Sequence, residues 1–196
     1  MAQQDKEKWD KKHIEAPIPT EPIALITDYA RLAPGKQALD IACGMGRHSK
    51  YLASQGFHVD ALDISTTAID SLQGIENISA KEVDFDTYQL ETGKYDLIVC
   101  TYFLMRSLFP QIEKALKEGG IFIYETYLYH PDNDRSTANR TFLLEEGELE
   151  ATFDDRYDLM HLREDWTTDY KGAKTMIGQI VAKKKAGGMT VEDFWA

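Results

Sequence analysis

The sequence predicts an α/β protein built on a mostly parallel sheet of seven strands, one of them antiparallel, with helices on both faces. Three observations carry this. Strand-like and helix-like stretches alternate between residues 37 and 127, the rhythm of successive βα units and therefore of parallel strands. The run "YDLIVCTYF", residues 95–103, is almost wholly apolar, as a strand buried on both faces must be. Past residue 155 the rhythm changes to two strand-like runs joined by a turn containing "DYKG", a hairpin that adds an antiparallel strand.

In chain order, "TEPIALITDYARL" (20–32) reads as a helix with Thr20 as N-cap, Pro22 in the first turn and Ile23, Ile26 and Ala30 on one face. Pro34-Gly35 breaks it. "QALDIA" is strand one, "HSKYLASQ" a helix closed by Gly56, and "FHVDALD" strand two. "STTAIDSL" opens a helix on a serine cap, and "ISAKEVD" is strand three. "YDLIVCTYF" is strand four, "PQIEKALKEGG" a helix with Pro110 near its start and Gly119 at its end, and "IFIYETY" strand five. "LYHPDNDRSTANRTF" reads as a long loop, "EEGELEATF" as a short helix, and "RYDLMHLREDW" with "AKTMIGQIVAKK" as the closing hairpin. Five βα units and a hairpin place the functional loops at the carboxyl ends of the strands, near the switch point between strands one and four.

Composition narrows the partners. The 196 residues carry 22 basic and 33 acidic side chains, a net charge of −11, which opposes a phosphate backbone. Lys183-Lys184-Lys185 is the one basic run and reads as a solvated strand end, so nucleic acid is not an expected partner. The charged start "MAQQDKEKWDKK" does not read as a signal peptide, and "LIVCTYFLM" is too short to span a bilayer. Cys43 and Cys100 fall in apolar strand-like stretches with no disulfide pattern. A cytoplasmic location without membrane attachment is the expectation.

The stretch "LDIACGMGRHSKYLASQGFHVDALDIS", Leu39 to Ser65, holds the functional signal. Gly44 and Gly46 match the first two glycines of the dinucleotide fingerprint, but Ser49 stands at the third. Asp40 ends strand one below the turn, where it would repel a pyrophosphate and suit a ligand carrying an ammonium and a sulfonium. The alternative, that Asp40 only bonds the backbone of the turn, is compatible with either ligand. Asp63, 19 residues beyond Gly44, ends strand two where an acid accepts both hydroxyls of a ribose. Asp84 ends strand three, positioned to accept from the exocyclic amine of an adenine, with Phe85 supplying an N–H and an apolar wall. The competing reading of Asp84 is an acid that starts a turn.

These residues resemble the first motif of the class I S-adenosylmethionine-dependent methyltransferases, more narrowly the tellurite-resistance and thiopurine-methyltransferase-like branch. The resemblance runs from "KWDKKH" through "LFPQIEKALKEGGIFIYETY" to "FLLEEGELEATF". It implies a Rossmann-like fold and S-adenosyl-L-methionine as cofactor. Carried over by residue, Asp40, Ala42, Cys43, Gly44 and Gly46 match the loop around the methionine part. Asp63 and Ile64 match the ribose and adenine contacts, Asp84 and Phe85 the adenine edge, and Cys100 and Thr101 the methionine amino group. The expected organisation is a single domain over residues 1–196. Residues 1–19 would form an N-terminal lid segment, and residues 127–152 a loop and short helix near the acceptor side. The lid departs from the branch pattern, since Lys12 replaces an arginine and His13 an aromatic residue.

Methyl transfer from a sulfonium is an in-line displacement that relies on holding the nucleophile in place. A soft nucleophile needs no strong base, whereas an oxygen or ammonium acceptor must lose a proton. Tyr102, Arg106 and Tyr127 follow strands four and five and are the candidate catalytic residues, with His130 in the loop beyond. Arg106, Arg135 and Arg140 suggest a small anionic acceptor, unless they pair with acids such as Asp132 or Glu145. "DND" at 132–134 lacks the glycine and distant glutamate of a calcium loop, and the five histidines show no metal-ligand spacing, so no metal is expected. The oligomeric state is open. The alternative functions are a nicotinamide-dependent oxidoreductase, disfavoured by Ser49 and Asp40, and a non-catalytic protein that binds the methyl-donor cofactor.

Overall fold

The computed structural model describes residues 2–15, 19–134, 139–153, 155–169 and 171–187. Seven strands form one sheet in the order β3-β2-β1-β4-β5-β7-β6. They are β1 (Gln37–Ile41), β2 (His58–Asp63), β3 (Ile78–Glu82), β4 (Tyr95–Thr101), β5 (Leu116–Leu128), β6 (Tyr157–Thr168) and β7 (Lys174–Lys184). Strands β1 to β5 pair in parallel, whereas β7 runs antiparallel to both of its neighbours, β5 and β6. This is the predicted sheet with its single reversed strand.

Alternation along the strands sorts the core into two layers. Leu97, Val99, Ile121, Ile123 and Val181 meet Leu25, Ile26 and Ala30 from α2 (Ala24–Tyr29) and the turn after it, and Leu52 from α3 (Arg47–Ser54). On the opposite face Ile98, Phe122, Tyr124 and Ile180 meet Ile112 of α5 (Phe109–Ala115), Leu149 of α6 (Glu148–Thr152) and Phe153. The remaining helices are α1 (Ala2–Glu15) and α4 (Thr66–Asp70). As predicted, Ser65 caps α4, its side chain accepting from Ala68 N–H at 3.2 Å.

Three local expectations are corrected. Helix α2 starts at Ala24 rather than after Thr20, and its N-cap Ile23 makes no side-chain cap. The chain is instead drawn toward α3, where Ile23 N–H reaches His48 Nε2 at 3.5 Å. Helix α5 ends at Ala115 rather than Gly119 because Leu116 turns extended, buries itself and pairs with Tyr95 of β4. Residues 83–94 form turns, so the crossover from β3 to β4 lacks a helix and Tyr88 and Leu90 pack on the core in its place.

Candidate functional site

The carboxyl ends of β1, β2 and β4 lie side by side, and the glycine turn rises from β1 between them. Its backbone is left-handed at Ala42 (φ 54°), Gly44 (φ 54°) and Gly46 (φ 73°). At Gly46 a side chain is impossible without movement, because a Cβ would lie 2.4 Å from Leu72 Cδ2. Ser49 explains the missing third glycine. It is fully buried on the first turn of α3, and its hydroxyl donates to Asp40 Oδ2 at 2.6 Å. Asp40 is 1% exposed, and burial pushes its carboxyl up to about 7. Its direct partner is therefore Ser49, and a cation above the turn would favour its ionised form.

Asp63 ties the two strand ends together. Its Oδ2 accepts from Gly44 N–H at 2.8 Å and its Oδ1 from Ser65 N–H at 2.9 Å, which fixes both the turn and the start of α4. Helix α1 lies across this junction, a contact that sequence reading left as a lid without a structure. Asp10 accepts from Ser65 Oγ at 2.6 Å and from Thr67 N–H at 3.1 Å, while Lys6 bridges Asp10 and Glu82 and meets Thr66. Ser65 has one hydroxyl proton and gives it to Asp10, so it accepts from His13 Nδ1–H at 3.0 Å. Burial lowers the His13 pKa, and the neutral ring turns a bare Nε2 toward Gly44. Asp63 opposes that burial effect, and Lys12 and Asp10 also act on the ring.

Ile64, Val83 and Asp84 line a hollow of about 210 Å³ together with Glu82, Gln3 and Lys6, so α1 forms one wall. Asp84 Oδ1 accepts from Asp86 N–H at 3.0 Å, which is the turn-starting role. Phe85 is buried in the core against Phe103, with ring centroids 5.6 Å apart. Cys43 and Cys100 are both buried, and burial pushes both thiols up, so neither is a ready nucleophile. Thr101 Oγ1 lies 3.4 Å from His48 Nδ1, and burial pulls the His48 pKa down to about 3, leaving a neutral ring.

Beyond this turn the candidates separate. Tyr102 is a strained residue at φ 56°, with its N–H on Glu125 O and its hydroxyl donating to Glu125 Oε1. Its ring lies 5.0 Å from that of Tyr127 and 5.7 Å from the Arg47 guanidinium. Glu125 and Gln179 escaped sequence reading, and Arg47 and His48 were given no role by it. The legible hint was Glu125 itself, a charge inside the apolar strand "IFIYETY". Arg106 points elsewhere, with Nε and Nη2 forking onto Glu148 at 2.6 and 2.8 Å while Nη1 and Nη2 meet the carbonyls of Thr141 and Leu143. Arg140 pairs with Glu145 and covers the Tyr129 ring, and Arg135 lies outside the described residues. His130 packs on Trp166, and Asn133 ties the loop to β5 and β7 through Leu128 O and Met176 N–H. Among the described residues no helix is long and apolar enough to cross a membrane, and no group of His, Cys, Asp and Glu is arranged to hold a metal.

Solved structures share this architecture. TehB from Haemophilus influenzae superposes with a TM-score of 0.73 over 92% of this chain and 67% of that one, at 23% identity. An S-adenosylmethionine-dependent methyltransferase from Methanosarcina mazei does so with a TM-score of 0.65 over 85% of this chain and all of that one, at 18% identity. In sequence, an uncharacterized methyltransferase of Synechocystis is 29% identical over 52% of this chain and 51% of its own length. The probable S-adenosyl-L-methionine-dependent methyltransferase TehB of Haemophilus influenzae is 33% identical over 47% of this chain and 35% of its own. The chain thus spans about half or less of the curated relatives it first matches. The match to the model of the tellurite resistance protein TehB family is broader, running from residue 1 to residue 175 and so taking in the glycine turn and strands β1 to β6, and this chain belongs to that family.

Proposed function

We propose that this chain is an S-adenosyl-L-methionine-dependent methyltransferase acting on a small molecule. The observation that carries the reading is the meeting of the glycine turn with two carboxyl groups at the ends of β1 and β2, Asp63 accepting from Gly44 N–H and Asp40 accepting from Ser49 at the start of α3. Family membership and the methyltransferase names of its relatives support it. The residues suit this cofactor. A buried carboxyl poised near 7 favours a nearby ammonium or sulfonium, and Gly44, at φ 54° and partly exposed, presents no side chain to a ligand. In this reading Gly44 and Gly46 line the methionine part, with Ala42, Cys43, Cys100 and Thr101 around them. Asp63 and Ile64 take the ribose and adenine contacts, and Asp84 and Phe85 the adenine edge. When bound, the cofactor supplies a methyl group on a sulfonium, already activated for displacement.

The acceptor in this reading is soft or anionic, and it approaches over Tyr102 and Tyr127. The anion-binding part does not fall to Arg106, whose guanidinium is committed to Glu148. Calorimetric titration tests the cofactor assignment. S-adenosylmethionine and S-adenosylhomocysteine should bind and NAD should bind far more weakly. Tight NAD binding with no response to S-adenosylhomocysteine would overturn the reading.

A further inference from the structure

Across the carboxyl edge of the sheet runs a chain of polar contacts that the glycine turn does not use. Glu125 is 4% exposed yet carries a carboxylate in the middle of an apolar strand. Both of its oxygens are held, Oε1 by the Tyr102 hydroxyl and Oε2 by Gln179 Nε2–H at 2.6 Å. Gln179 Oε1 in turn lies 3.1 Å from His161 Nε2, whose ring meets that of Tyr29. The contacts link β4, β5, β7 and β6 in that order, and the strand register sets them, since Glu125 lies opposite Thr101 on one side and Gln179 on the other.

Tyr102 is the outlet of this row. It is 37% exposed, against 4% for the glutamate behind it, and its positive φ is a strained conformation for a tyrosine. Burying a carboxylate is costly unless it is well bonded, and neither the hydrophobic core nor the sheet ladder needs one here. Over the Tyr102 ring stands Arg47, at the start of α3. Among the described residues Arg47 meets the Glu21 carbonyl at 3.5 Å and this ring, but no carboxylate within ion-pair distance. The Tyr127 ring also packs against that of Tyr102, with centroids 5.0 Å apart.

We propose that Arg47, Tyr102 and Glu125 form the acceptor site, and that it takes a small molecule carrying both an anionic group and a nucleophile with a proton to lose. This rests on the methyltransferase reading above. Arg47 receives the anionic group. Tyr102 is the catalytic residue, its hydroxyl oxygen taking the nucleophile's proton while its own proton passes to Glu125 Oε1. Glu125 and Gln179 are positioning residues, acting through Tyr102. The electron pair freed on the nucleophile forms the bond to the methyl carbon, and the pair of the broken sulfur–methyl bond stays on sulfur. The sulfonium charge and the carboxylate charge are thereby cancelled together.

The test uses the full chain with three probes: 3-mercaptopropionate, its uncharged amide, and 3-(methylthio)propionate, which has no proton to lose. Formation of S-adenosylhomocysteine is measured alongside the calorimetric affinity for S-adenosylhomocysteine and the melting temperature. The parent should prefer mercaptopropionate over the amide by at least about tenfold in kcat/KM, and Arg47→Leu should erase that preference. Tyr102→Phe and Glu125→Gln should lower the ratio of thiol to thioether turnover by at least about thirtyfold, within the range of general base catalysis. Either variant alone suffices if the other fails to fold. Equal use of acid and amide by the parent, a preference that survives Arg47→Leu, or an unchanged thiol-to-thioether ratio would overturn the proposal. So would binding of S-adenosylhomocysteine without turnover of any probe. Absence of S-adenosylhomocysteine binding in the parent would instead overturn the methyltransferase reading.

Discussion

Asp63→Ala separates two roles that meet in one carboxylate. In the protein alone, Asp63 accepts from Gly44 N–H at 2.8 Å and from Ser65 N–H at 2.9 Å. Ser65 is fully buried, so its N–H loses its partner with no water to replace it, whereas Gly44 is partly exposed and can be rehydrated. One stranded buried donor costs about 1–3 kcal/mol. For a chain of this size that lowers Tm by roughly 2–4 °C per kcal/mol. Binding should suffer separately. Hydrogen bonds to a charged group are worth about 1.5–3 kcal/mol each, so losing the ribose contact weakens binding by about ten- to a hundredfold or more. Thermal melts followed by circular dichroism give the first quantity, and calorimetry with S-adenosylhomocysteine the second. A lowered Tm with an unchanged Kd would refute the ribose assignment and leave Asp63 as a tether for the turn. An unchanged Tm would refute the tether.

Three further outcomes follow from the same geometry. Asp40 has a folded pKa of about 7 against an ordinary 3.8, so the folded state binds the extra proton and stability falls as pH rises from about 4 to 7. Asp40→Asn should flatten that decline, which amounts to at most roughly 4 kcal/mol, as read from denaturant melts across the pH range; a slope equal to the parent's would count against it. Gly46→Ala should destabilise by about 2–5 kcal/mol, combining a left-handed alanine with the close approach of Leu72, and a melt unchanged from the parent would contradict the turn geometry. Arg106→Met should lower the melting temperature modestly and leave S-adenosylhomocysteine affinity intact. A double-mutant cycle with Glu148→Gln should return a coupling of about 1 kcal/mol, and zero coupling would show the fork to be idle.

The sequence by itself determined the elements whose cause is local or periodic. "YDLIVCT" is a strand buried on both faces, and an unbroken apolar run says so directly. Ser65 announces α4 because a cap is a contact three residues long, and the alternation of Ile121 and Ile123 with Phe122 and Tyr124 announces a two-faced core. The glycine turn, with Asp40 and Asp63 at the ends of β1 and β2, was legible for the same reason, whereas β3 stops at Glu82 and leaves Asp84 in the turn beyond it rather than at the strand end. Contacts between distant segments were not. Helix α1 is charged on most of its surface and docks through Lys6, Asp10 and His13 onto Ser65, Thr67 and Glu82, so no apolar stripe foretold it. The sequence left Arg106 open between an anion-binding role and pairing with an acid such as Asp132 or Glu145, and only the fold brought it to Glu148, 42 residues on. Helix α5 stops early because pairing of Leu116 with Tyr95 outweighs helix propensity, which is worth only fractions of a kcal/mol per residue. Tyr102 follows β4 while Glu125 and Gln179 lie on β5 and β7, and the three meet because β5 pairs with β4 on one side and β7 inserts against it on the other. That insertion is a matter of sheet order, which depends on how the faces of all the strands are buried together and is written in no single stretch of the chain.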